Sequence, residues 1–139
     1  MCKCAALLLV TACALAQQRR FTPRQDLAEI IIERFVDVVQ VAPKLYTVDR
    51  ENEKVRVLRA KLPGEANVSL HDHRSGVLVA ITDVHLRFRT PDKKSFDLHV
   101  PAGEARWLDG DTHTEQNLNN RPCEFLFIEM KLPAERTRE

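Results

Sequence analysis

The sequence predicts an all-β domain, an antiparallel sandwich or barrel preceded by a short extension. Three observations lead there. From Tyr46 onward apolar and polar residues alternate in short runs, and the runs recur at intervals of about 8 to 12 residues. Turn-forming residues separate them: Pro63-Gly64, Ser75-Gly76, Pro91-Asp92-Lys93-Lys94 and Pro101-Ala102-Gly103. A period of two marks a strand with one buried face, and no internal repeat or low-complexity tract competes with that reading.

Val55 to Leu62 gives one strand. Ala66-Asn67-Val68-Ser69-Leu70 alternates and leads into His71-Asp72-His73. An apolar run, Val77 to Thr82, gives another strand after Ser75-Gly76. Val84, Leu86 and Phe88 alternate with His85, Arg87 and Arg89, and Phe96, Leu98 and Val100 alternate with Ser95, Asp97 and His99. That alternation assigns His85 and His99 to a polar outer face. The chain then passes Trp107 and closes with Cys123 to Leu132, which sets Phe125, Phe127 and Glu129 on one side and Leu126, Ile128 and Met130 on the other.

Upstream, Thr22-Pro23-Arg24-Gln25 has the character of a helix start, with a Thr cap, Pro at the first position and Gln three residues after the cap. Leu27, Ile30, Ile31, Phe35, Val38 and Val39 recur at helical spacing, although β-branched residues crowd the run; a short helix or strand extension ends by Pro43. Residues 27–41 carry more apolar surface than a connector needs. The start of the chain reads as an export leader: Lys3, the apolar run Ala5 to Val10, then Ala14-Leu15-Ala16. Val10-Thr11-Ala12-Cys13 also resembles a lipobox, which would anchor the protein by lipid at Cys13. The resulting division is a leader over 1–16, an extension over 17–45, the β domain over 46–132 and a charged tail over 133–139.

Composition excludes more than it proposes. The 139 residues carry 21 Lys and Arg against 20 Asp and Glu, so no basic field invites nucleic acid. The apolar run of the leader is shorter than the roughly 18 residues a membrane span needs. Cys2, Cys4 and Cys13 fall in the leader, and the single remaining thiol, Cys123, cannot close an internal disulfide. It reads as a half-buried inert thiol.

The chemistry gathers at Leu70-His71-Asp72-His73 and at His113. On a strand, His71 and His73 share a face about 6.6 Å apart and can reach one ion; on a helix they would diverge. Gly64, His71-Asp72-His73, Pro101-Ala102-Gly103 and His113-Thr114-Glu115-Gln116-Asn117 together resemble the two signature blocks of the cupin superfamily, over about residues 46–132. Within it the chain is similar to the small single-domain cupins of β-alanine degradation, through Glu51 to Arg59, Pro63-Gly64-Glu65, Ala105-Arg106-Trp107 and Ile128-Glu129-Met130-Lys131.

The resemblance implies a double-stranded β-helix, or jelly-roll barrel, with a divalent ion (Fe, Mn, Ni or Zn) held by His71, His73 and His113. Gln116, Asn117 and Arg106 stand where they could support the site or touch a ligand. Val77 and Leu78 occupy the place of the family's metal-binding Glu, so a site without a carboxylate ligand is expected, and Glu115 is the one evident general base. Three imidazoles without a carboxylate leave the ion its full charge and favour a small acidic ligand. Val84 and Lys93 stand where such cupins have hairpin glycines. Family members commonly pair through their sheets, which implies a homodimer. The function implied is an exported metal-binding cupin of a small molecule. The alternatives are a three-histidine Fe(II) dioxygenase acting on a dicarbonyl or acidic compound, a related isomerase, and a metal-free binding or structural barrel.

The leader generates its own test. Intact mass of protein exported by a bacterial host should give a chain beginning at Gln17 or at a lipidated Cys13; an unprocessed chain in the cytoplasm would contradict it.

Overall fold

Among the described residues the chain forms nine strands, and in most of them buried and exposed residues alternate. The computed structural model describes residues 35–131. They run as a helical turn α1 (Val38–Val41) followed by β1 (Tyr46–Glu51), β2 (Val55–Leu62), β3 (Asn67–His73), β4 (Gly76–Ala80), β5 (Val84–Arg89), β6 (Ser95–Val100), β7 (Ala105–Leu108), β8 (Asp111–Asn117) and β9 (Cys123–Met130). One sheet has the order β1-β2-β9-β4-β7 and the other β3-β8-β5-β6, with every strand pair antiparallel. Two sheets joined by crossovers in this way form a jelly-roll barrel, with the core between their inner faces.

The buried sets follow the period of two. Leu58, Ala60 and Leu62 of β2, Leu78 and Ala80 of β4, Val84, Leu86 and Phe88 of β5, and Cys123, Phe125 and Phe127 of β9 interdigitate. Burial pushes the Cys123 thiol up to about 11, which makes it unreactive. His85 and His99 face each other across β5 and β6 on the outer side, ring centroids 5.6 Å apart.

The expected extension is visible only from residue 35. Its described part is one helical turn, capped by the Asp37 side chain, which accepts from the Val39 N–H at 3.0 Å. The predicted helix start at Thr22 and the apolar positions Leu27, Ile30 and Ile31 lie outside the described residues, as do the leader and the tail from residue 132. The Asp72 N–H donates to the Val36 carbonyl at 2.8 Å, and the Val36 N–H donates to the Asp72 carboxylate, so the segment is stitched to β3. No helix among the described residues is long and apolar enough to cross a membrane.

Of the two expected hairpin substitutions, Val84 is an ordinary buried strand residue that opens β5. Lys93 takes the left-handed conformation a glycine would favour, with φ of 66°, and costs the β5–β6 turn about 1–2 kcal/mol. Gly76 is required for a different reason. It pairs with Glu129 across β4 and β9, and a Cβ there would overlap the backbone carbonyl of Ile128. Gly76→Ala should therefore lower unfolding free energy by about 2–3 kcal/mol in chemical denaturation; an unchanged midpoint would contradict this register.

Candidate metal centre

The sequence pattern alone would place His71 wrongly. If the alternation of Ala66, Val68 and Leu70 continued unbroken, His71 and His73 would face solvent. A one-residue bulge prevents this. Val68 pairs with Glu115 but His71 pairs with His113, so three residues of β3 cover the length of two on β8. Ser69 and Leu70 both turn outward, and His71 follows Val68 into the interior. On β8 the alternation is regular and sends His113, Glu115 and Asn117 inward.

His71 is fully buried and His113 nearly so. The ring centroids of His71, His73 and His113 lie 4.8, 4.9 and 5.6 Å apart, and one ligand atom from each, together with one from Glu115, falls within a 4.8 Å spread. Fixed partners set the tautomer of two of the three rings. His71 Nδ1 donates to the Ser69 carbonyl at 2.7 Å, and His73 Nδ1 donates to Glu129 Oε1 at 2.8 Å. In both rings the Nε2 lone pair is thereby left free. Burial, helped by charge on neighbouring histidines, lowers His71 to about 4 and His113 to about 3, so both are neutral bases at physiological pH.

The Tyr46 hydroxyl donates to Glu115 Oε2 at 2.6 Å, while burial pushes the Glu115 carboxyl above its ordinary range. Glu115 Oε1, His71 Nε2 and both nitrogens of His113 are buried with no hydrogen-bond partner in the protein. Each such atom costs about 1–3 kcal/mol unless something binds it, and together they rival the stability of a whole domain. A divalent ion is the partner this donor set fits. Two atoms bound at about 2.1 Å to one ion lie at most about 4.2 Å apart, so the 4.8 Å spread has to contract for the ion to be held by all four groups.

The expectation of a site without a carboxylate does not hold. After His73 the chain crosses at Arg74-Ser75 into the other sheet, where Leu78 packs in the core. The carboxylate comes instead from β8, two residues after His113 and therefore on the same face. That spacing was the available signal for Glu115. Glu129 was signalled by its place on the buried side of β9. It accepts from His73 and faces Arg56 at 3.8 Å, which in turn pairs with Asp37 at 2.9 Å.

The remaining candidates do not join the histidines. Asn117 is buried, but its amide donates to the carbonyls of Leu62, Pro63 and Arg121 and its oxygen accepts from the Asn119 N–H, so it clamps two loops. Gln116 points to the opposite face of β8 and contacts Arg89 at 3.4 Å. Arg106 is exposed and pairs with Glu104 at 2.8 Å.

Beside His73, His113 and Glu115 lies an apolar cavity of about 20 Å³, walled by Leu86, Phe88 and Phe127 among others. It holds about one water-sized ligand.

Neither a protein-family model nor a curated protein matches the chain. Solved structures do. The chain is similar to a cupin domain from Bordetella pertussis Tohama I, with 27% identity over 63% of this chain and 93% of that one, and a TM-score of 0.58. A cupin superfamily protein from Desulfitobacterium hafniense DCB-2 is 10% identical over 62% and 75%, with a TM-score of 0.46. The oxalate decarboxylase of Lactobacillus farciminis in its formate complex is 21% identical over 63% of this chain and 27% of that one, also at 0.46. The first of these likenesses joins the jelly-roll topology and the facing His71-Asp72-His73 and His113 blocks: the chain has the cupin fold.

Proposed function

We propose that the barrel holds one divalent ion on His71, His73 and His113, with Glu115 as a fourth donor, and presents it to a small molecule entering from the barrel mouth. The observation that carries this reading is the convergence of buried, unpartnered donor atoms from β3 and β8. The protein's own part is orientation: the Ser69 carbonyl fixes the His71 tautomer, Glu129 fixes that of His73, and Tyr46 holds Glu115 by Oε2, the oxygen that lies 3.8 Å from His71 Nε2. When bound, the ion supplies a Lewis acid for an oxygen of the incoming molecule. An ion of octahedral preference held by three histidines and Glu115 would keep two positions open for an incoming molecule. With Glu115 included, the complex carries less positive charge than a three-histidine site, and a strongly acidic ligand is no longer required by charge.

A dioxygenase reading uses the same residues, with the apolar walls of the cavity suited to dioxygen; oxygen consumption by the iron-loaded protein separates it from simple binding. The leader-like start supports an exported form, and the apolar run over 27–41 supports pairing of two copies.

The test compares His113→Ala and His113→Gln with His99→Ala, each assayed for bound metal and thermal shift. Loss of His113 should weaken metal binding at least about 100-fold, while His99→Ala should leave it unchanged. Wild-type protein should gain about 2.7 kcal/mol of stability when free metal is about 100 times its Kd. Retention of metal at the wild-type ratio by folded His113 variants would overturn the assignment.

A further inference from the structure

A second cavity, about 350 Å³ in volume, opens outward from the first, and the two share Phe88, Leu108, Asp109 and His113. Its outer walls are Phe96 and Trp107, which are 45% and 55% exposed. Aromatic side chains half exposed at a cavity mouth leave apolar surface that a ligand can cover. Both are held in place. The Trp107 indole N–H donates to Asp109 Oδ1 at 2.9 Å; Phe96 lies 5.0 Å from Phe88, and Phe88 lies 4.5 Å from His113. A continuous aromatic wall thus runs from solvent to the imidazole whose nitrogens have no partner.

The charge of this groove is one-sided. Asp109 and Asp111 line it, Asp111 Oδ2 lies 3.9 Å from His113 Nδ1, and among the described residues no Lys or Arg lines it. Two carboxylates at the mouth repel an anion and accept from donors, and a cation above aromatic rings gains further.

We infer that the groove binds an aromatic small molecule bearing hydroxyl or amine donors, with its oxygen toward His113 and its amine at the rim, and that it disfavours small dicarboxylates. The inference rests on the metal-centre reading for what the oxygen meets, but on Phe96, Trp107, Asp109 and Asp111 for what the ring meets.

Trp107 is the only tryptophan and therefore reports directly. Full-length protein, with and without Zn²⁺, is titrated with tyramine, p-cresol, 4-hydroxyphenylacetate and succinate, followed by Trp107 emission and calorimetry. Tyramine and p-cresol should bind and quench, 4-hydroxyphenylacetate should bind several-fold more weakly than tyramine, and succinate should not bind. Phe96→Ala should weaken tyramine about two- to tenfold without lowering the melting temperature. Asp109→Asn with Asp111→Asn keeps an acceptor for Trp107 and should bring 4-hydroxyphenylacetate level with tyramine. Succinate binding as tightly as tyramine, or no effect of Phe96→Ala, would overturn the inference. So would light scattering showing that Phe96→Ala dissolves a dimer, because the patch would then be a surface between copies. Quenching by tyramine in protein that binds no Zn²⁺ would uphold the groove and remove the metal centre; Zn²⁺ binding with no phenol bound would do the reverse.

Discussion

The pairing of β3 with β8, with one extra residue in β3, is the constraint on which the site depends. Without the bulge at Ser69 and Leu70, the strand that carries Val68 into the core would carry His71 and His73 out of it. The register also sets His71 directly opposite His113, the closest approach two side chains make across a sheet. Glu115 then follows from the pleat of β8, and Tyr46 reaches it from the facing sheet. Bulges twist and weaken a ladder locally, so this one is retained at a cost that only the aim of its side chains offsets.

Burying so many polar groups in a small barrel is expensive, and the fold meets that expense with partners wherever it can. Arg56 stands on the inner face of β2, where Leu58, Ala60 and Leu62 set the pattern, yet it is buried between Asp37 and Glu129. Glu129 in turn holds His73. A chain of charges therefore links the segment before the barrel to the histidine cluster. Removing one member would strand the others without water or counter-charge, which is the costly outcome for buried ion pairs. The atoms left without such partners belong mainly to the cluster itself: His71 Nε2, both nitrogens of His113 and Glu115 Oε1.

Much of the barrel was legible in the residues. β2, β5 and β9 follow their alternation residue by residue, because each buries one face against an apolar core and no insertion breaks the period. The three histidines were legible through spacing and resemblance. The phase of β3 was not, since a bulge leaves no mark in a pattern of apolar residues. Glu115 joins the histidine cluster from β8, whereas the family pattern puts its carboxylate after His73, on a segment that the turn at Arg74 and Ser75 carries into the other sheet. Asn117 and Arg106 show the reverse. Their residue types suit a ligand site, but one is consumed by loop carbonyls and the other by Glu104.

The account is tested most directly by X-ray absorption at the zinc edge of the protein loaded with one Zn²⁺. The arrangement of β3 and β8 predicts three imidazoles together with oxygen donors, and one imidazole fewer in His113→Gln. A spectrum with one imidazole or none in the wild type, or one unchanged by that substitution, would contradict the joining of these two strands around a single ion.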